Sequence, residues 1–209
     1  MPGVCPYCGL RIDPAPARSR RCPHCKERIV VRTRRSDGAK LLLTEAAAAE
    51  FDQDRRLEAE RNEAIRRSAN IGVTREHFAK AERDLARKFG FAQPRDVFWM
   101  LANEAAVRAM KRGEWHALSM IYWEQARQLY EEGKPHLDLA RQASKASLQV
   151  FVQGGYVRNV EIVCNCCAQC QRDAGRKMAL ADAVRELPIP HETCDNDGWC
   201  ICLWVPIIT

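Results

Sequence analysis

Eleven cysteines divide into two clusters at opposite ends of the chain, and none lies in the 138 residues between them. The first cluster is Cys5-Pro-Tyr-Cys8 followed, after thirteen residues, by Cys22-Pro-His-Cys25. The second is Cys164, Cys166, Cys167 and Cys170, then His191, Cys194, Cys200 and Cys202. Thiolate is the softest ligand a protein owns, and paired thiolates at CxxC spacing can grip one tetrahedral ion. In short, loop-rich segments that grip is itself folding free energy. The expected chemistry is therefore metal binding at both ends, joined by a middle that folds by ordinary apolar burial.

The odd cysteine count argues against a complete disulfide framework. Met1-Pro-Gly-Val-Cys5 lacks the basic and apolar regions of a signal peptide, and no apolar run approaches the ~18 residues of a membrane helix. A soluble protein in the reducing cytoplasm, with no membrane contact, is the expectation, and there CxxC pairs are metal ligands.

Cys5, Cys8, Cys22 and Cys25 supply four sulfurs and no open position, which makes the first site structural rather than catalytic. Iron could occupy it, but zinc suits an otherwise non-redox sequence better. His24, inside the second pair, is read as a bystander. Arg28-Ile-Val-Val-Arg-Thr33 and Lys40-Leu-Leu-Leu43 flank Arg35-Ser-Asp-Gly38, and Asp-Gly between β-rich runs signals a hairpin. With Pro6, Pro23 and Gly9, residues 4–43 resemble the zinc-ribbon superfamily, whose knuckles have the form CPxCG. Lys26 stands where the second knuckle would have its glycine.

Charge separates the ends. Residues 1–40 hold ten Lys/Arg against Asp13, Glu27 and Asp37, a segment charge of +7 in a chain of net +6. Residues 160–209 carry −3. Arg18, Arg20, Arg21, Arg28, Arg32, Arg34 and Arg35 would offer phosphate contacts, so nucleic acid is a candidate partner of residues 1–43. The plainer alternative is a ribbon solubilised by arginine that docks on protein.

At the other end, Cys167, Cys170 and Cys194 with Cys200 or Cys202 complete a tetrahedron, and His191 competes for the fourth place. Cys164 and Cys166 bring the donors to eight, enough for two ions, although one ion with spare, partly buried thiols is simpler. The cofactor expectation is zinc, one ion per cluster, with a third possible in the C-terminal one. The order CxxC, Asp173-x-Gly175, Pro188-x-Pro190-His191, Cys194, Cys200-x-Cys202 and an apolar strand with Pro206 resembles the cysteine-rich end of phage Mu-type head-morphogenesis (minor capsid) proteins. Uncharacterised bacterial relatives share that segment. The resemblance covers about residues 157–209; Ile201 and Ala174 depart from its usual pattern. It implies a helical region before the motif and a structural role in a particle, and no catalytic activity.

Enzyme motifs fit poorly. Zinc deaminases place H-x-E before P-C-x-x-C, whereas here CxxC precedes His191-Glu192. A zincin needs a second histidine, and a redox CxxC needs a thioredoxin-like βαβ setting. A Cys194 nucleophile with His191 as base is the remaining catalytic alternative.

The elements that must hold these ends are mainly helical. Thr44 caps a helix running to about Ala69, closed by Asn70 and Gly72, whose Leu57, Ala59, Ala64 and Ile65 form no clean stripe. Such a polar helix is read as a solvated connector with Asp52/Arg56 and Glu63/Arg67 pairs; self-association is its alternative. Thr74 caps the next helix, with Phe78, Ala81, Leu85 and Phe89 inward. Helices then open near Pro94, Trp115 and Pro135, the last with Leu137, Ala140, Leu148 and Phe151 inward. Trp115, Tyr122, Ala126, Pro135 and Ala140 faintly resemble one tetratricopeptide hairpin, but one unit is no array, so a small four-helix domain is expected. Residues 156–163 form a strand, 171–187 a short helix or loop, and Trp199 to Ile208 a strand interrupted by Pro206.

The resulting expectation is mainly α with two small zinc-stabilised β modules. Its parts are a ribbon (1–43), a polar helical connector (44–72), a helical bundle (73–155) and a cysteine-rich zinc cap (156–209). Its function would be that of a non-enzymatic zinc-binding adaptor, with residues 44–209 mediating protein interaction or self-association.

Overall fold

The computed structural model describes residues 3–164, 167–194 and 196–208. Cys166 lies outside them. The chain is mainly helical, with small antiparallel sheets and a cysteine cluster at each end, as its sequence implies. It divides into two compact units, Met1–Asn62 and Glu63–Thr209, and the division falls inside the polar helix.

In the first unit, β1 (Gly3–Val4) pairs antiparallel with β2 (Arg11–Ile12). A second sheet runs in the order β3 (Arg20–Arg21), β4 (Arg28–Thr33), β5 (Lys40–Leu43). β4 and β5 form the expected hairpin, in which Val31 faces Leu42 and Thr33 faces Lys40. Its turn is held by the Arg34 amide donating to the Ala39 carbonyl at 2.9 Å, while Asp37 accepts from the Ala39 amide at 3.1 Å. The Arg34 guanidinium beside Asp37 also holds that carboxyl down at about 2. The interior of this unit is small: Cys5, Ile12, Cys22 and Ile29 are its buried cluster, with Cys8, Cys25 and Leu42 against it.

Helix α1 (Glu45–Asn70) begins at Thr44, whose hydroxyl accepts from the Ala47 amide at 3.1 Å. Asp52 does not pair with Arg56 as expected. It takes a bidentate bond from Arg32 of β4, with Nη2 at 2.5 Å and Nε at 2.8 Å. Gln53, Asp54 and residues 56–60 are exposed, as befits a connector. The last turns are not solvated. Ala64 is buried in the core of the second unit, and Arg67 is 3% exposed.

In the second unit, α2 (Arg75–Phe89), α3 (Pro94–Arg112), α4 (Trp115–Glu131) and α5 (Leu137–Gly154) pack each on the next. Phe78, Val97, Phe98, Leu101, Leu118 and Ile121 form their interior, closed by small alanines. Thr74 caps α2 by accepting from the His77 amide at 3.2 Å. The inward stripe of α2 ends earlier than its period suggests: Phe89, in the last turn, is 58% exposed, with the Lys88 ammonium 5.1 Å from its ring centre.

β6 (Asn159–Val163) is the centre of a three-stranded antiparallel sheet in the order β7-β6-β8. Between residues 168 and 186, where a short helix or loop is expected, the chain forms α6 (Ala168–Asp173), β7 (Lys177–Ala179) and α7 (Leu180–Glu186). β8 (Leu203–Ile207) starts later than the sequence suggests and runs through Pro206, which sits opposite Val160. An edge strand tolerates proline because its missing N–H can face away from the ladder. Trp199 lies outside the strand, stacked near Trp123 (4.7 Å) and Tyr130 (5.1 Å) of α4.

α5 serves both parts of this unit. Ala146 belongs to the helical core and Leu148 to the cysteine-rich cluster. Ser144 is the polar link: it donates to the Ile189 carbonyl at 3.1 Å and accepts from the Trp204 indole at 2.9 Å.

Arg67 is charged, buried and surrounded by Glu63 (2.9 Å), Glu124 (3.5 Å) and Glu131. Removing one partner of a buried ion pair leaves the other charge desolvated and uncompensated. Arg67→Met is therefore expected to destabilise the second unit by about 3–5 kcal/mol in chemical denaturation. Adding Glu124→Leu should recover part of that loss, because Glu124 is then no longer buried without a countercharge.

Candidate metal centres

Two pseudo-equivalent turns build the N-terminal site. The Gly9 amide donates to the Cys5 carbonyl at 3.0 Å, and the Lys26 amide to the Cys22 carbonyl at 3.1 Å. The Cys5 and Cys22 amides then reach the Leu10 and Glu27 carbonyls at 3.0 and 2.8 Å. Each turn needs a left-handed residue after its second cysteine, and Gly9 and Lys26 have φ of 72° and 65°. The lysine thus performs the glycine's turn at a conformational cost.

The turns bring all four sulfurs within 4.8 Å of one another. Cys5 and Cys25 are 3.8 Å apart, and Cys8 and Cys22 are 3.9 Å apart. A tetrahedral ion with metal–sulfur bonds near 2.3 Å sets its sulfur–sulfur edges at about 3.8 Å. The donor set fits such an ion, and all four positions are protein sulfur. The His24 amide donates to Cys22 Sγ at 3.4 Å, the kind of bond that stabilises a thiolate, while the His24 ring is no part of the donor group.

Without a cation the sulfurs resist sharing charge. Burial opposes ionisation of Cys22, but the Cys25 and His24 amides outweigh it and bring the thiol down to about 6. For Cys25 the Glu27 amide favours the thiolate, yet burial and the neighbouring sulfurs prevail and push it up to about 12.

The C-terminal cluster is assembled from four places: the end of β6, α6, the loop after α7, and the approach to β8. Cys167 caps α6, accepting from the Cys170 amide at 3.4 Å. Cys194 Sγ lies 3.7 Å from both Cys167 and Cys170, and Cys200 Sγ is 3.8 Å from Cys170. The Cys194 edges match a tetrahedral sulfur site of about 3.8 Å, whereas Cys200 falls outside the set of sulfurs that all lie within 4.8 Å of one another. Gly198, with φ 79°, donates its amide to the Cys194 carbonyl at 3.0 Å, repeating the turn of the N-terminal knuckles. Trp199 anchors this turn, its ring 5.5 Å from that of His136, whose Nε2 in turn meets the Gly198 carbonyl at 3.1 Å.

A second donor group shares one sulfur with the first: Cys170, His191 and Cys202 lie within 4.8 Å of one another. Of the three expected contenders for the fourth place, His191 and Cys202 thus group with Cys170 rather than with Cys167 and Cys194, and Cys200 falls in neither group. The sequence alone left the role of Asp173 open; its Oδ2 is 3.4 Å from His191 Nε2. Burial, reinforced by the Cys167 sulfur, pushes the Cys194 thiol up to about 12. Burial raises Cys202 as well, with the sulfurs of Cys164, Cys200 and Cys170 adding to it.

Of the seven arginines expected on a phosphate-binding face, three meet carboxylates: Arg28 with Glu45 at 3.6 Å, Arg32 with Asp52, and Arg34 with Asp37 at 2.6 Å. Arg18, Arg20, Arg21 and Arg35 are exposed and have no carboxylate partner among the described residues. No described helix is long and apolar enough to cross a membrane. Compared with protein-family models, curated proteins and solved structures, the chain returned no match in any of the three.

Three outcomes follow from the site geometry. Cys22→Ser should abolish the dispersed amide resonances of β1–β5 in a proton–nitrogen spectrum of the intact chain while those of α2–α4 persist. Lys26→Gly should stabilise the metal-loaded first unit by about 1 kcal/mol in denaturant melts, through relief of the left-handed strain. Because bound thiols must lose their protons, acidification should release the ions, at about tenfold in affinity per pH unit for each proton displaced. A chromophoric chelator titrated across pH reads that slope.

Proposed function

We propose that this chain is a non-enzymatic zinc-binding adaptor whose ribbon contacts a polyanion, with nucleic acid as the partner class. The observation that carries this reading is the set of four exposed arginines, Arg18, Arg20, Arg21 and Arg35, with no internal carboxylate. They sit on a small scaffold built around four cysteines. Zinc is the ion of choice because closed all-sulfur tetrahedra in a chain without redox motifs suit a d¹⁰ cation. The second unit would hold a protein partner or a second copy. Val107 and Met110, one turn apart on α3, are each 53% exposed and supply an apolar contact for it.

Burial of the C-terminal sulfurs supports a structural rather than a catalytic role. A nucleophilic cysteine needs an accessible thiolate with a lowered pKa, whereas Cys194 is 5% exposed and its thiol is raised. His191 groups with Cys170 and Cys202, while Cys194 groups with Cys167 and Cys170, so the imagined base and nucleophile point to different partners. A place in a phage particle has only the motif order of residues 157–209 behind it.

Filter binding of the intact, zinc-loaded chain to duplex DNA and to single-stranded RNA across salt tests the ribbon's partner. Affinity should fall as salt rises. Replacing Arg18, Arg20, Arg21 and Arg35 together by glutamine should flatten the log–log slope on duplex DNA by about 3–4. Replacing Arg34, already held by Asp37, should change the slope little. Absent or salt-independent binding would remove nucleic acid and leave an acidic protein surface as the partner class.

A further inference from the structure

We propose that the C-terminal cluster is a binuclear centre in which the Cys170 thiolate bridges two divalent ions of the zinc class. The starting observation is that Cys170 Sγ belongs to two donor groups at once, one with Cys167 and Cys194 and one with His191 and Cys202. Cys170 is fully buried between them. A thiolate sulfur keeps lone pairs after binding one cation, so it can serve a second without changing its charge.

The donor count closes on this arrangement. Two tetrahedral ions require eight ligand positions. Six described cysteines and one histidine reach the cluster: Cys164, Cys167, Cys170, His191, Cys194, Cys200 and Cys202. Counting Cys170 twice, seven donors equal eight positions; five of them form the two compact groups, and Cys164 and Cys200 flank those groups. The contacts divide them. Cys200 Sγ is 3.8 Å from Cys170 but outside the group of Cys167, Cys170 and Cys194, and it would have to close on the first ion. Cys164, one of the sulfurs that raise the Cys202 thiol, is likewise outside the group of Cys170, His191 and Cys202 and would have to close on the second.

His191 supplies an independent pointer to the second ion. Its side chain is only 10% exposed, and its Nε2 is buried without a hydrogen-bond partner. Only the 3.4 Å approach of Asp173 Oδ2 answers that nitrogen, and a buried ring atom so weakly paired is costly. With the Asp173 carboxylate on Nε2, the other ring nitrogen would be the one to ligate. Gly175, two residues on, donates to the Ile162 carbonyl at 2.9 Å and fixes Asp173 beside β6, giving the Asp-x-Gly element a physical role. A single ion on Cys167, Cys170 and Cys194 would leave His191 and Cys202 grouped on the other side of Cys170 without one.

Charge favours the pair as well. Six thiolates and a neutral imidazole around two dications leave −2 on the centre, the same as a single four-cysteine site carries.

The inference rests on metal binding at this end of the chain and is independent of what the ribbon contacts. Its test is the intact protein loaded with ¹¹³Cd, whose cadmium resonances are counted and correlated. Three resonances per chain are expected, one from the N-terminal site and two from the C-terminal cluster, with the latter pair scalar-coupled to each other through the shared sulfur. His191→Ala should remove one ion per chain by mass spectrometry under native conditions and abolish the coupling, while the two remaining resonances persist. Three mutually uncoupled resonances, or two ions per chain in the unsubstituted protein, would overturn the bridged centre. Two ions would still leave metal binding at both ends intact, whereas one ion or none would defeat that premise too.

Discussion

The N-terminal unit has little carbon to fold around, and its four clustered sulfurs could hold a cation that makes up the difference. In the first unit the buried cluster is two isoleucines and two cysteines. Burying an isoleucine gains roughly 1.5–3 kcal/mol, whereas ordering each residue's backbone costs about 1–2 kcal/mol. Two such side chains cannot order five strands and their turns. Four thiolates closing on one dication can, because the binding free energy is released only when the turns are formed. The local geometry answers to that need: short β pairs, knuckles closed by backbone bonds, and an amide turned toward a sulfur at His24.

The C-terminal cap obeys the same constraint in a different way. Cys167, Cys170, Cys194, Cys200 and Cys202 share one buried cluster with Leu148, Val160, Ile162, Ile189 and Trp204. The sulfurs are therefore core and candidate ligands together, and a cation there would permit negative charge inside an apolar interior. This couples the cap to the helices. α5 contributes to both interiors, and Ser144 ties it to the loop before His191 and to β8 through Trp204. The helical core itself needs no such help, since Phe78, Phe98, Leu101 and Ile121 pack against alanines that let the helices approach closely.

Much of this was legible in the residues alone, for identifiable reasons. CxxC spacing fixes a ligand geometry, Asp37-Gly38 fixes a hairpin turn, and Thr44 and Thr74 mark helix starts, because each is a local signal with a local cause. What escaped were the effects that depend on tertiary neighbours. Nothing within α1 announces that Asp52 prefers Arg32 of β4 to Arg56 one turn away, or that Arg67, paired with Glu63 as their spacing suggests, is also buried beside Glu124 and Glu131. A polar side chain reads as solvated until its partners, here more than 50 residues distant in sequence, are in place. Phe89 failed in the opposite sense, since the helical period persists where the inward stripe has already ended. The C-terminal donors were all visible, but their division was not: spacing says which residues are candidates, and only the fold says that Cys170 faces two groups.

The paired arginines change what the N-terminal charge means. A segment of +7 suggests a continuous cationic face, but Arg28, Arg32 and Arg34 are each turned toward a carboxylate of the same unit. Arg32 is the clearest case, since its bidentate bond to Asp52 joins β4 to the first turns of α1 and is half-shielded from solvent. Part of the basic composition is thus consumed in building the unit. Four thiolates on a divalent ion withdraw two further units of charge. The attraction left for a partner comes chiefly from Arg18, Arg20, Arg21 and Arg35, which lie on β3, just before it and in the β4–β5 turn. A field built from a few side chains on such short elements would attract a polyanion without reading its sequence.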